Sequence, residues 1–561
     1  MQQSRLGSLG IAITTLVATS ASCAQRGEEP VGAEPARRPN IVLILADDLG
    51  YSDIAPYGGE IATPSLQRLA DEGLLFTDFY NQARCMPARG SLLTGLYPTQ
   101  SGIGWVDADS GLPGYTGDLA AHAVTMAEVL SAAGYGTYMS GKWHVTTHTG
   151  HWGRFPERQS KHNWPLQRGF DRYYGMILGA SSFFDPVTLT EDNEPLPSPG
   201  SDYYFTDAVT DRATTYIEEH VARSPDDPFF LYVAYTAPHW PLHAPEPDVA
   251  RQKGRYDDGW ETLHAKRVSR QAQLGLWAGA PVPPPEELVR RWADLGEREQ
   301  RWYARAMEVY AAQVEIMDSG IGRLLGTLED AGVDGDTLIV FLADNGACAE
   351  VLTDSWDGLY VTRTTHDGQP VTVGNEHVDV LPGPETTFMS YGREWAWASN
   401  APFRYYKHWA HEGGIATPFL VRWPAGTAGA GRMVREPGQL TDVLATFVDV
   451  AGAEYPAQRE GDAVLPMEGV SLAPTFTGES LAERPLFFEH EGNRAVRLGR
   501  WKLVERFAGG GWQLHDLATD RAEALDVGAA NPERVAQLVG LYEGWADRVG
   551  VLPWPLEGPG S

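Results

Sequence analysis

Four short runs of unbroken apolar residues do most to limit what this chain can fold into. Ile41, Val42, Leu43, Ile44 and Leu45 lead into Asp47, Asp48, Leu49 and Gly50. Leu338 to Leu342 is apolar throughout and leads into Asp344, Asn345 and Gly346. Phe229 to Ala234 leads into Pro238 and His239, and Pro418 to Val421 follows Gly413 and Gly414. A strand buried on both faces reads as such a run, with no alternation. Helical patterns lie between the runs, at 65–73, 125–133 and 301–331. Strands alternating with helices predict an α/β fold: a large mixed, mostly parallel sheet flanked by helices. In sheets of this kind ligands bind beyond the carboxyl ends of the strands. Three of the runs lead at that end into polar residues: Asp47 and Asp48, Asp344 and Asn345, and His239.

The chain has 561 residues, enough for a large domain and a smaller one. Short strand candidates at 485–490, 495–498, 501–505 and 512–517 are followed by an amphipathic helical pattern at 532–549. They predict a smaller C-terminal domain with an antiparallel sheet and one helix. The large domain is assigned to 40–430 and the small one to 431–561. Residues 251–300 and 351–395 have weak periodicity and read as long excursions, the usual place for substrate walls. Trp240, Trp260, Trp277, Trp395 and Trp397 are candidates for stacking on a substrate ring.

Residues 1–24 read as an export signal: Arg5, then an apolar stretch at 9–17, then small residues up to Cys23. The stretch is too short to span a bilayer, and no later run is long enough. Two readings of Cys23 stand side by side, lipidation after cleavage and ordinary cleavage nearby; Ser20 stands where a lipoprotein site usually has Leu. Residues 25–39, rich in Glu, Pro, Gly and Arg, read as a flexible tail. These features predict a periplasmic or extracellular protein. Only three cysteines occur, Cys23, Cys85 and Cys348, so disulfides are not its framework. The last two read as buried thiols or as one bridge, unless the surroundings of Cys85 give it another task. The formal net charge of −30 argues against nucleic acid and anionic membranes as partners. It leaves room for a small anion in a locally positive pocket. Oligomeric state is not encoded in any pattern found.

Cys85, Met86, Pro87, Ala88 and Arg89 are followed by Gly90, Ser91, Leu92, Leu93, Thr94 and Gly95. Pro87 suits the first turn of a helix, which places Cys85 at its N-terminus. The free N–H groups and the helix dipole there favour an anion. Arg89, one turn on, lies on the same face. Asp47 and Asp48 would repel each other unless a cation sat between them.

This C-x-P-x-R segment with its trailing T-G resembles the signature of the sulfatase family. Gly141, Lys142, Trp143 and His144 resemble its G-K-W-H segment. Ala237 to Pro241 resembles the stretch that supplies a sulfate-binding histidine. Tyr406, Lys407 and His408, followed by Glu412, Gly413 and Gly414, resemble the one that supplies the last lysine. The resemblance covers 40–424 well and points to the bacterial arylsulfatases. It implies that a maturation enzyme oxidises Cys85 to formylglycine, whose hydrate attacks sulfur with one hydroxyl and expels sulfate with the other. It implies a metal held by Asp47, Asp48, Asp344, Asn345 and residue 85. Hard oxygen donors favour Ca²⁺ or Mg²⁺ over zinc, and the resemblance to bacterial arylsulfatases implies Ca²⁺, with Mg²⁺ second. Arg89, Lys142, His239 and Lys407 would clamp the sulfate of a small substrate. His144 would hold a hydroxyl of the hydrate, Asp344 would be the base, and His239 and Lys407 would protonate the leaving oxygen. A phosphonate monoester or phosphodiester hydrolase on the same fold is the alternative, and an inactive binder of sulfated glycans the second. The family pattern fails at Val145, Thr146 and Thr147. It gives no counterpart for His148, His151 and His162.

Overall fold

The computed structural model describes residues 38–106, 109–152, 156–279, 290–507 and 509–557. The expected export signal and nearly all of the expected tail lie outside the described residues. None of the described helices is long and apolar enough to cross a membrane.

Ten strands make the large sheet: β1 Asn40–Ala46, β2 Leu74–Phe76, β3 Gly136–Gly141, β4 Arg172–Met176, β5 Leu189–Glu191, β6 Glu194–Pro195, β7 Phe229–Ala234, β8 Thr337–Ala343, β9 Phe419–Arg422 and β10 Arg432–Val434. Their spatial order is β10-β2-β9-β8-β1-β7-β3-β4-β5-β6. The five central strands β8, β1, β7, β3 and β4 run parallel. β9 runs antiparallel to both of its neighbours, which aligns β2 with the parallel set. The four apolar runs are all strands, and the three central ones are buried along their whole length.

Alternate residues of β1 feed two separate cores, as the two-residue repeat of a strand requires. Val42, Ile44 and Ala46 pack on one face with the helices Pro64–Glu72, Phe205–Arg223 and Glu297–Asp330. Ile41, Leu43 and Leu45 pack on the other with Cys85–Thr94, Met126–Ala132 and Thr441–Ala451. Sandwiching between helix layers is what allows a strand to dispense with polar residues.

The small sheet has four antiparallel strands in sequence order, β11 Leu486–His490, β12 Asn493–Leu498, β13 Trp501–Glu505 and β14 Gln513–Asp516. The helix Pro532–Val549 lays Leu538, Tyr542 and Trp545 on Val496, Leu503 and Leu514.

The stretch 251–300 differs from expectation. It contains the helix Gly259–Gln273, whose buried face carries His264, Arg267 and Gln271 beside Trp260, Leu263 and Val268. Polar residues at inward positions erase the 3.6-residue hydrophobic repeat. Arg267 is fully buried between Asp53 at 2.6 Å and Glu60 at 2.8 Å, so the helix is fastened by charge as well as packing.

Candidate active site

Every strand that carries an expected site residue delivers it to the same edge of the large sheet. β1 and β8 pair in register through Ala46 and Ala343, so Asp47 and Asp344 emerge side by side. β7 leads to His239 and β3 to Lys142 and His144. β2 leads to Cys85, and the segment entering β9 brings Lys407. Asp48 and His144 both adopt left-handed backbone, with φ of 62° and 53°. That turns the chain sharply just beyond each strand.

Four oxygen-bearing side chains meet at the ends of β1 and β8. Asn345 Nδ2 donates to Asp48 Oδ1 at 2.7 Å, and the Asp48 N–H donates to Asp344 Oδ1 at 3.3 Å. Arg89 supports them from below: its Nε donates to Asp344 Oδ2 at 3.0 Å and Nη2 lies 3.4 Å from Asp47 Oδ2. Lys142 Nζ donates to Asp47 Oδ2 at 2.5 Å. Lys407 Nζ lies 2.8 Å from Asp48 Oδ1, and His239 Nε2 is 3.3 Å from Asp48 Oδ2. Asp47 Oδ1 and Asn345 Oδ1 are buried and have no hydrogen-bond partner among the described residues. A bare buried oxygen is costly unless a cation meets it. Two of them beside two more carboxyl groups form a hard-oxygen donor set that fits Ca²⁺ or Mg²⁺.

The protonation states follow from this crowding. Burial works to raise the Asp48 carboxyl, but His239 and Lys407 outweigh it and hold the group well below the usual carboxylate range. Burial and the neighbouring Asp47 push Asp344 up to about 6 against the pull of Arg89. Burial pushes His239 down to about 3, with Lys142 and Lys407 adding to the effect and Asp48 opposing it. Burial opposes ionisation of the Cys85 thiol, yet Lys407, Lys142 and His144 together bring it below its ordinary value. Cys85 is the first residue of the helix Cys85–Thr94, as its spacing to Pro87 predicts. Neither Cys85 nor Cys348 is in a disulfide, which removes the reading of a single bridge.

A cavity of about 800 Å³ opens onto Cys85, His144, His239 and Lys407. Arg89 and Lys142 do not line it; both are fully buried behind the carboxylates. The lining includes Trp152, Trp240, Trp356, Leu359 and Tyr360, with Gly179 and Ala180. The 351–395 excursion therefore forms a wall. None of the described part of 251–300 does, and Trp260, Trp395 and Trp397 are packed elsewhere in the core.

Glu350 and Arg84 were not foreseen from the sequence. Glu350 accepts from Trp240 Nε1 at 2.7 Å, pairs with Arg84 at 2.8 Å and stands 4.0 Å from Lys407 Nζ. Both lie on irregular backbone beside recognisable segments, where no periodic pattern marks them. Their only signal is position, Arg84 next to Cys85 and Glu350 five residues after Asn345.

Residues 39–453 match the family model described as Sulfatase, and residues 402–538 match that described as N-sulphoglucosamine sulphohydrolase, C-terminal. An arylsulfatase of Klebsiella aerogenes is 36% identical over 459 residues, covering 79% of this chain and 93% of that protein. An uncharacterized sulfatase of Schizosaccharomyces pombe is 31% identical over 549 residues, covering 93% and 95%. Among solved structures, Ps i-CgsB in complex with k-i-k-neocarrahexaose is similar in fold, with a TM-score of 0.64 at 24% identity, covering 91% of this chain and 93% of that one. The PsFucS1 sulfatase from Pseudoalteromonas sp. gives a TM-score of 0.58 at 19% identity, covering 91% and 90%.

Proposed function

The chain belongs to the sulfatase family and is a sulfuric ester hydrolase, and from that premise we propose that it cleaves sulfate monoesters with a formylglycine made from Cys85 beside a divalent cation. One juxtaposition carries the reading. Cys85, at the head of the helix Cys85–Thr94, opens on one cavity with His144, His239 and Lys407, and the bare oxygens of Asp47 and Asn345 lie at the same sheet edge.

Asp47, Asp48, Asp344 and Asn345 would hold the cation, Ca²⁺ before Mg²⁺, with residue 85 as a further ligand. When bound, it supplies positive charge that steadies the reacting oxygens. Formylglycine at position 85 would supply the attacking hydroxyl. Asp344 takes the proton from that hydroxyl. Without a cation its carboxyl is driven up by burial and by Asp47; positive charge among these groups lowers it again and keeps it ionised as a base. Arg89 is a positioning residue here: it fixes the carboxylates of Asp47 and Asp344 and the Lys142 backbone, to whose carbonyl it donates at 3.0 Å. Lys142 steadies Asp47 and the nucleophile from beneath.

His239 and Lys407 face the cavity and meet the sulfate. His239 is neutral when the site holds no anion; an entering sulfate raises it and equips it, with Lys407, to protonate the leaving oxygen. His144 acts on the other hydroxyl of the hydrate. The aromatic walls and the arylsulfatase relative support an aryl sulfate as substrate. The reading includes a formylglycine-generating maturation enzyme as partner and export by way of residues 1–24.

The test is the mass of the peptide containing Cys85, from protein made in its native host or with a maturation enzyme. A mass in which the thiol is exchanged for an aldehyde is expected. An unmodified cysteine in protein that turns over aryl sulfates would overturn the proposed nucleophile.

A further inference from the structure

Away from the oxygen-rich centre, a second cluster has the character of a metal site. His162 Nε2 lies 2.6 Å from Asp118 Oδ2, and His148 Nε2 lies 3.9 Å from the same oxygen. The two imidazoles meet edge to face with centroids 4.6 Å apart. One ligand atom from each of the three residues falls within 4.8 Å of the others. Donors on a tetrahedral Zn²⁺ at about 2.0–2.1 Å stand roughly 3.3 Å apart, so the spacing brackets what such an ion needs.

Three further observations point to a ligand. Ser160 Oγ is 2.7 Å from His162 Nδ1, which engages the far nitrogen and leaves Nε2 turned toward Asp118. Metal-bound histidines are oriented by such a contact on the other ring nitrogen. In the tautomer whose Nδ1–H donates to Ser160 Oγ, Nε2 presents a lone pair to a carboxylate oxygen, an arrangement that needs a cation or a proton between them. Asp118 Oδ1 and His148 Nδ1 are also buried with no hydrogen-bond partner among the described residues. His162 is 48% exposed, which gives an ion a way in from solvent.

The residues come from three separate stretches. Asp118 forms a β-bridge with Thr146, His148 follows two residues later, and Ser160 and His162 lie further along the chain. Thr146, Thr147, Thr149, Trp152 and Arg158, all between these points, line the cavity. We propose that Asp118, His148 and His162 bind a divalent transition metal of the zinc class, which fastens this stretch as one wall of the substrate cavity. Two imidazoles and a carboxylate favour Zn²⁺ over Ca²⁺, opposite to the oxygen set at the strand ends. A fourth position would be left to solvent.

The full-length protein, stripped with a chelator, is titrated with Zn²⁺ in excess Ca²⁺ by calorimetry, and with Co²⁺ followed by visible absorption. One equivalent of zinc with a micromolar or tighter Kd is expected, with an intense Co²⁺ band typical of four-coordinate nitrogen and oxygen ligands. His162→Gln and His148→Ala should each weaken zinc at least tenfold and abolish the band. Wild-type protein should become more resistant to cleavage within 146–162 when zinc is added. His162 is half exposed, so its variant should melt like the zinc-free wild type. Absence of zinc binding, or binding that survives both substitutions, as it would on Cys85 or Cys348, overturns the proposal. Because zinc binding is read directly, it stands or falls separately from the formylglycine reading.

Discussion

Gly179 leaves open the space that the His144 imidazole fills: a Cβ at position 179 would stand 2.4 Å from His144 Cε1 and Nε2. Real carbon contacts do not come so close, so any side chain at 179 must displace the ring. Gly179→Ala should lower kcat by about tenfold or more, since a small misplacement of a reacting group is costly. KM should change less, and the melting temperature by only a few degrees. Turnover of an aryl sulfate and the formylglycine content at position 85 check this together. Unchanged kcat with full conversion would mean that His144 has no part in turnover.

His239 and Lys407 both contact Asp48 and both face the cavity. His239→Ala and Lys407→Ala should each cut kcat by about 10²–10⁴, the usual worth of acid catalysis, with folding retained. The loss should be largest for substrates with poor leaving groups, because these need the proton most. Comparing phenyl sulfates of different leaving-group acidity reads this out. An equal loss across the series would assign these residues to sulfate binding alone.

Asn345 offers the bare Oδ1, and its Nδ2 is committed to Asp48. Asn345→Ala should therefore weaken Ca²⁺ by about tenfold or more without disturbing the zinc-class cluster. Isothermal titration of chelator-treated protein measures it. Wild-type protein should lose activity on treatment with a calcium chelator and recover it with Ca²⁺. Activity that persists after the bound metal is shown to be gone would remove the cation from the reading.

The sheet and most of this centre are legible in the sequence because two independent signals coincide there. Ile41–Leu45 and Leu338–Leu342, short and bounded by turn residues, read as strands covered on both faces, and polar residues that follow parallel strands of one sheet collect at one edge of it. Arg89 is readable as a partner of Cys85 by helical spacing, but not as a support for Asp344, which lies 255 residues away. The helix Gly259–Gln273 is hidden because charge pairing replaces apolar contact on its buried face. The cavity wall at Trp356, Leu359 and Tyr360 has no repeating pattern at all. Its shape comes from contacts with Trp240 that only the folded chain brings about.

Glu489 gives the small sheet a dependence on pH. Burial pushes its carboxyl up to about 7, with Glu491 adding to this and the Gly492 N–H and Arg494 opposing it. The folded state thus holds a proton that the unfolded chain releases near pH 4.5. Its contribution is fully present below that pH and is lost as pH rises through about 7. Wild-type protein should therefore melt lower at pH 8 than at pH 5, to the extent that this residue decides it. Glu489→Gln keeps an acceptor for the Gly492 N–H, which donates to Oε1 at 2.9 Å, and should shrink the difference. Melting curves at the two pH values test it; an identical difference in variant and wild type would show that Glu489 stays ionised.

Lys502, on β13 of the small sheet, is fully buried between Glu412 at 3.0 Å and Glu523 at 2.8 Å. Glu412 also accepts from Arg521 at 3.0 Å and from Tyr80 at 3.0 Å, and its N–H donates to Glu523 at 2.7 Å. It stands five residues after Lys407, so this charge network fastens the small sheet to the segment that enters the site. Lys502→Met keeps much of the side-chain volume but leaves two carboxylates buried without their cation. Removing one partner of a buried pair costs about 3–5 kcal/mol, so a clear fall in melting temperature is expected. The penalty comes mainly from the stranded charges, not from a lost attraction. Neutralising the carboxylates in the triple variant Lys502→Met, Glu412→Gln, Glu523→Gln should therefore recover part of the loss. Denaturation of the three proteins side by side separates the two accounts. A triple variant weaker than Lys502→Met would show that the carboxylates are held by Arg521 and Tyr80 well enough without the lysine.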